Sequence, residues 1–251
     1  MRADRFTGKT VCITGGAQGM GRQAALDMAA EGAAVAVTDI DDQALEDIKG
    51  EFDEMGAASL VLHCDVSKCS EVEAAVARIA DQFGSLDILI NNAGLLKSFT
   101  IEETTNELID RTIDINIKGV LYAVRAVTPI MKKQNYGRIV NISSIAGKNG
   151  DNTTSFVYGA SKGAVITITR STARQLGPFG ITCNAIAPHA VMTKMMEYWD
   201  DDKKQAMADK IPLKRLGTVE DMSNLMMFLA SDESSFITGE VININGGYYM
   251  D

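Results

Sequence analysis

Seven short apolar runs recur along the chain, and stretches of helical periodicity separate them. TVCITG (10–15), AAVAVTD (33–39), SLVLHCD (59–65), LDILINNAG (86–94), GRIVNISS (137–144), ITCNAIAP (181–188) and EVININGG (240–247) read as strands. Their near-continuous apolarity fits strands covered on both faces. Residues 21–31 set Ala24, Ala25, Met28 and Ala29 on one helical face, and 41–55 and 70–83 are amphipathic. A long helical region separates the fourth and fifth runs. Another helix starts at YGASKGAVITITRSTARQL, and two more are expected near 195–209 and 218–230. Strict alternation implies parallel strands with crossover helices on both faces. The predicted class is therefore α/β, a doubly wound parallel sheet of about seven strands in three α/β/α layers. In that architecture a ligand crevice lies beyond the carboxyl ends of the strands.

Composition narrows the function. The 251 residues are 46% hydrophobic and 23% charged, with no linker, repeat or low-complexity tract, so 1–251 is expected to form a single domain. The net charge of −9 argues against a nucleic-acid partner and against an anionic membrane surface. The opening MRADRFTGKTVCITG has no apolar signal core, and no run approaches the ~18 residues that span a bilayer. A cytoplasmic protein is expected. Cys12, Cys64, Cys69 and Cys183 have no metal-ligand spacing and read as free, structural thiols; no metal site is expected.

In TGGAQGMGRQAALDMAAEG (14–32), Gly15, Gly16, Gly19 and Gly21 fall between a strand and a helix. Glycine weakens a helix, so these residues answer a backbone need. The plain alternative is an ordinary strand-to-helix turn. The functional one is an anion cradle: backbone N–H groups at a helix N-terminus face the ligand, and no Cβ holds a pyrophosphate away.

The spacing Thr14-Gly15-x-x-x-Gly19-x-Gly21 is followed by Asn91-Asn92-Ala93-Gly94, Ser144, Tyr158-x-x-x-Lys162 and Asn184…Pro188, in that order. This set resembles the short-chain dehydrogenase/reductase family over essentially the whole chain. The resemblance implies a Rossmann-like fold and a nicotinamide dinucleotide. Its path would run along Gly15, Gln18, Gly19, Met20 and Gly21, then Asp65 and Val66 beside the adenine. Asn91, Asn92, Ala93 and Gly94 would continue it, and Pro188, Val191 and Thr193 would meet the nicotinamide. Asp39 ends the second strand, where a carboxylate bonds the ribose hydroxyls and repels a 2′-phosphate. Gln18 and Ile40 stand where NADP-preferring relatives offer Arg or Lys; Arg22 is a weaker counter-signal. Asp39 could instead cap the next helix, but Asp41 serves that purpose as well. The expected cofactor is NAD.

Tyr158 and Lys162 sit one helical turn apart. At ~4 Å and an effective dielectric of ~20, an ammonium attracts a phenolate by on the order of 4 kcal/mol. That suits Tyr158 for general acid/base work near neutral pH. In isolation the pair would read as an exposed helix face. Ser144, preferred over Ser143 by the S-x-x-G pattern ending at Gly147, is placed to stabilise a reacting oxygen. By resemblance, Lys162 also binds the nicotinamide ribose, and Asn116 in DINIKG orders a water beside Lys162 in a proton relay. Asn116, Ser144, Tyr158 and Lys162 are the expected catalytic set.

Where the family commonly shows Pro-Gly, this chain has Pro188-His189. His189 is either a tolerated loop residue or a substrate contact at the pocket mouth. A substrate lid is expected near 190–215, with Trp199 as a second candidate contact. The polar loop 148–156 favours a hydroxylated substrate; Leu95, Leu96 and Trp199 pull the other way. The expected activity is NAD-dependent oxidation of a secondary alcohol, or reduction of a ketone. A 3-oxoacyl-carrier-protein reductase type, a non-catalytic dinucleotide sensor and a redox-neutral isomerase or lyase are the alternatives. Family resemblance also implies a homotetramer, which the apolar tail GGYYMD suits.

Overall fold

A computed structural model describes residues 4–150, 154–193 and 200–251. Its sheet has seven strands: β1 (Thr10–Thr14), β2 (Ala34–Asp39), β3 (Ser59–His63), β4 (Ile88–Asn91), β5 (Gly137–Ile142), β6 (Ile181–Pro188) and β7 (Val241–Ile244). They lie in the order β3-β2-β1-β4-β5-β6-β7, and every pairing is parallel.

The apolar runs are continuous because both faces are covered. Val11 and Ile13 of β1, Val35 and Val37 of β2, and Ile88 and Ile90 of β4 point into one core. Cys12, Ala36 and Leu89, the residues between them, point into the other. The first core is closed by α1 (Gly19–Ala30), α2 (Asp42–Met55) and a C-terminal helix, Val219–Ala230, through Met28, Ile48, Phe52 and Met226. The second is closed by α3 (Cys69–Phe83), by Gly119–Gln134 and by Phe156–Leu176, through Val76, Ile79, Val127, Met131 and Leu176. Burying each large aliphatic side chain contributes about 1.5–3 kcal/mol, so the two cores hold the three layers together.

The helical region after β4 is not uniform. It runs as α4 (Asn106–Ile113), a π-helical turn (Asp114–Lys118) and α5 (Gly119–Gln134). The remaining helices are α6 (Ala146–Asn149), α7 (Phe156–Leu176), α8 (Asp201–Lys210) and α9 (Val219–Ala230). Of the helix expected near 195–209, residues 195–199 fall outside the described residues. The four cysteines are free thiols, three of them buried. Among the described residues no helix is long and apolar enough to cross a membrane, and no His/Cys/Asp/Glu group could hold a metal ion.

From β1 the chain crosses to β2 and β3, then returns to β4 on the other side of β1. The connections therefore diverge above β1 and β4, and this is where a doubly wound sheet opens its crevice.

Candidate active site

A crevice of about 760 Å³ opens there, and most of the motif residues line it. The three motif glycines divide their labour. A Cβ on Gly15 would sit 2.7 Å from Ala93 Cα, and one on Gly21 would sit 2.5 Å from Asn92 Nδ2. These two are small because the loop after β4 packs directly on the turn. Thr14 completes that contact: its Oγ1 accepts from the N–H groups of Asn92 and Ala93, both at 3.2 Å. Asn92 Nδ2 donates to Gly15 O at 2.6 Å. Gly19 differs. Its φ of +56° is positive like that of Gly15, but a Cβ there would meet only Thr193 Cγ2, at 3.7 Å, so its face opens on the crevice. The adjoining N-cap, Gln18, makes no side-chain cap bond, and no acidic residue fills the first turn of α1. The α1 N-terminus is thus left to an anionic group. Gly21→Ala should destabilise the fold by about 1–3 kcal/mol through this overpacking, read as a lower melting temperature.

Asp39 lies at one end of the crevice. Its Oδ2 accepts from Ala17 N at 3.1 Å and its Oδ1 from Ile40 N at 2.8 Å, which ties the glycine turn to the end of β2. Asp41, not Asp39, caps α2, accepting from Ala44 N at 3.1 Å. Gln18 Nε2 donates to Asp41 at 2.6 Å, and Arg22 pairs with Glu51 on α2. Further along, Val66 and Asp65 line the wall. Burial alone would raise the Asp65 carboxyl, but hydrogen bonds from Ser67 and the charges of Lys68 and Arg111 hold it below the usual range.

Ser144, Tyr158 and Lys162 converge at the other end. Ser143 borders the crevice as well, but its side chain is buried and its hydroxyl donates to Lys162 O at 2.9 Å. Gly147 explains the S-x-x-G pattern. A Cβ there would lie 2.5 Å from the Lys162 carbonyl carbon, so α6, which begins two residues after Ser144, rests directly on α7. Lys162 is buried at 5% exposure, its Nζ donates to Ile142 O at 2.8 Å, and burial pushes its pKa down to about 8. Nζ lies 5.7 Å from the centroid of the Tyr158 ring.

One expectation needs correcting. Asn91 does not line the crevice: it is buried and donates to Asn141, which donates to Thr169, in a polar chain inside the core. Asn116, for its part, is buried just behind the wall of the crevice. The π-helical turn buries its amide, which accepts from Leu95 N (2.7 Å) and donates to Leu95 O (2.9 Å) and Ser161 Oγ (3.0 Å). It clamps the segment after Gly94 while standing close to Lys162. A side chain begun at Gly94 would lie 3.4 Å from Lys162 Nζ and 3.5 Å from Asn116 Oδ1. Asn184, the partner of Pro188 in the motif, is likewise structural, joining β6 to Ile237 and Glu240.

Met20, Pro188, His189, Val191 and Thr193 reach the crevice, whereas Trp199 lies outside the described residues. Sequence reasoning missed Arg111 and Ile115, which also line it. They sit four apart on the helical stretch that runs into Asn116, Ile115 directly before it, and that helical phase was the available signal.

A family model described as enoyl-(acyl carrier protein) reductase matches residues 15–249. A 3-oxoacyl-(acyl-carrier-protein) reductase of Staphylococcus epidermidis is 40% identical over 247 residues, covering 96% of this chain and 99% of that protein. A 2-dehydro-3-deoxy-L-rhamnonate dehydrogenase (NAD(+)) of Sphingomonas is 38% identical, covering 98% and 97%. A solved short-chain dehydrogenase/reductase of Brucella melitensis, described as glucose/ribitol dehydrogenase, superposes with a TM-score of 0.92 at 30% identity, covering 100% of both chains.

Proposed function

The chain belongs to the short-chain dehydrogenase/reductase family of oxidoreductases, and from that premise we propose that it is an NAD-dependent dehydrogenase of a small, hydroxylated secondary alcohol, working through Tyr158. The observation that carries the reading is the convergence of Ser144, Tyr158 and a buried Lys162 at one end of a crevice whose other end holds Asp39.

The residues present fit the dinucleotide. The open face of Gly19 and the uncapped α1 N-terminus suit a pyrophosphate, and Asp39 suits unphosphorylated ribose hydroxyls. A bound nicotinamide supplies the hydride acceptor or donor. Tyr158 takes the hydroxyl proton in oxidation and returns it in reduction. Ser144 donates a hydrogen bond to the substrate oxygen and stabilises charge developing there. Lys162 favours the phenolate of Tyr158 and bonds the nicotinamide ribose. Asn116 holds the main chain at Leu95 beside them.

Preference for NAD rests on charge. Asp39 lines the ribose end, Gln18 beside it is bonded to Asp41, and the Arg22 guanidinium at the start of α1 is paired with Glu51. The Sphingomonas relative, whose name specifies NAD(+), is consistent with that. Asp39→Ser should lower the ratio of kcat/KM with NAD⁺ to that with NADP⁺ at least about tenfold, since it removes the carboxylate that repels a 2′-phosphate. A wild-type preference for NADPH in initial-rate assays would overturn the assignment.

The deciding experiment is a panel of sugar acids, polyols, hydroxy acids and simple secondary alcohols with NAD⁺, followed by NADH absorbance. Net NADH formation supports a dehydrogenase and excludes a sensor or a redox-neutral isomerase. The Staphylococcus relatives favour a second reading, reduction of a 3-oxoacyl thioester. Acetoacetyl-CoA with NADH or NADPH tests it, and faster turnover there than with any alcohol of the panel would select it.

A further inference from the structure

His189 stands where the family commonly has glycine, and it does not stand alone. Its imidazole stacks on the ring of Tyr248, with centroids 3.9 Å apart and planes 23° from parallel. His189 follows directly on Pro188, whose carbonyl accepts from Ile145 N at 3.0 Å, next to Ser144. Both Pro188 and His189 line the crevice on the side of Ser144 and Tyr158.

Tyr248 is itself held in place. Its N–H donates to Asn245 O, and Asn245 Nδ2 donates to Tyr249 O at 3.0 Å. Three residues on, the carboxylate of Asp251 accepts from Lys148 Nζ at 2.8 Å and from Asn243 Nδ2 at 2.6 Å. Lys148 belongs to α6, directly after Ser144, and its side chain is only 9% exposed. Nearby, Leu213 N donates to Gly246 O, which joins the same segment to the base of α8. Residues 245–251 thus touch the loop carrying Ser144, the loop carrying His189 and the base of the expected lid.

We propose that Tyr248 is a specificity-determining positioning residue: by stacking on His189 it fixes the imidazole against the substrate half of the crevice, so that the C-terminal segment helps decide which alcohol is accepted. This rests on the dehydrogenase reading above. An imidazole on a turn with freedom at χ1 and χ2 samples several orientations, and a stacked ring removes most of them. A polar group fixed in advance binds a substrate hydroxyl or carboxylate without a further ordering cost.

The test compares Tyr248→Leu, Tyr248→Phe and His189→Gly. The chain has two histidines, His63 and His189, so His63→Gln assigns the imidazole Cε1–H resonances. Loss of the ring current in Tyr248→Leu should move the His189 signal downfield and leave His63 in place, while Tyr248→Phe keeps both. With the panel alcohol that the wild type oxidises fastest, Tyr248→Leu should raise KM roughly tenfold, the equivalent of one lost hydrogen bond, with kcat within about twofold. Calorimetric affinity for NADH should be unchanged, Tyr248→Phe should restore the wild-type KM, and adding His189→Gly to Tyr248→Leu should cost nothing more. An unmoved His189 resonance, an unchanged KM, or a parallel loss of NADH affinity each overturns the proposal. A wild type inactive across the whole panel sinks the dehydrogenase reading instead, and the two failures are told apart by that control.

Discussion

Tyr158→Phe is expected to lower kcat for alcohol oxidation by about a thousandfold, leaving affinity for NADH within about twofold of wild type. The substitution deletes one oxygen. Tyr158 is 9% exposed on the buried face of α7, so the ring remains packed. What goes is the group that exchanges the substrate proton. A positioned general acid/base contributes about 10²–10⁴-fold, and here its aid from Lys162 is lost with it. At the observed 5.7 Å, Coulomb's law with an effective dielectric of ~20 gives an attraction of about 3 kcal/mol between a unit charge at Nζ and one on the ring. That is less than the sequence spacing suggested, yet still about a hundredfold in equilibrium terms. Stopped-flow hydride transfer with the best panel alcohol gives kcat for both proteins, and calorimetry gives NADH affinity. Turnover within about tenfold of wild type would remove Tyr158 from the reaction, whatever else the crevice binds.

The same residues show why some of the site was legible and some was not. The glycine turn, Asn92-Ala93-Gly94, Ser144 and the Tyr158/Lys162 pair all lie at a strand end or on a single helix turn. Local spacing therefore places them, and the structure brings them to one crevice. The glycine of the S-x-x-G spacing was likewise readable, because Gly147 lets α6 rest directly on α7. Contacts distant in sequence were not readable. Nothing in LDILINN says that Asn91 faces a buried Asn141 while Asn92 turns back to Gly15, since both follow from register against β5 and β1. The π-helical turn that buries Asn116 inserts an extra residue into a helix whose apolar pattern merely continues. The stack of His189 on Tyr248 joins two loops 59 positions apart (248 − 189), and no periodicity links them.

Lys162→Met should abolish useful turnover and at the same time raise the melting temperature of the ligand-free protein at pH 7. The amine is buried among β5, α7 and the loop after β4, and burial has lowered its pKa from the ordinary 10.5 to about 8. Below about pH 8 the folded chain carries this ammonium at a cost of about 3 kcal/mol relative to the unfolded chain. Between about pH 8 and 10.5 the folded protein has released the proton while the unfolded one still holds it. Wild-type stability therefore gains from this group as pH rises through that window, and the cost is largest below it. Methionine matches the length of the stem and carries no charge. It also loses the donor to Ile142 O, which returns about 1 kcal/mol. The net gain of about 2 kcal/mol corresponds to about 4–8 °C for a chain of this size. Repeating the melts at pH 10 should shrink the difference, because there the wild-type amine is neutral in the folded state. Activity moves the other way, with kcat falling by about 10²–10⁴-fold as the phenol loses its cation. Such a pairing marks a group retained for chemistry at the expense of the fold. A variant less stable than wild type at pH 7, or an advantage that does not change with pH, would show that the ammonium is held by interactions strong enough to offset its burial.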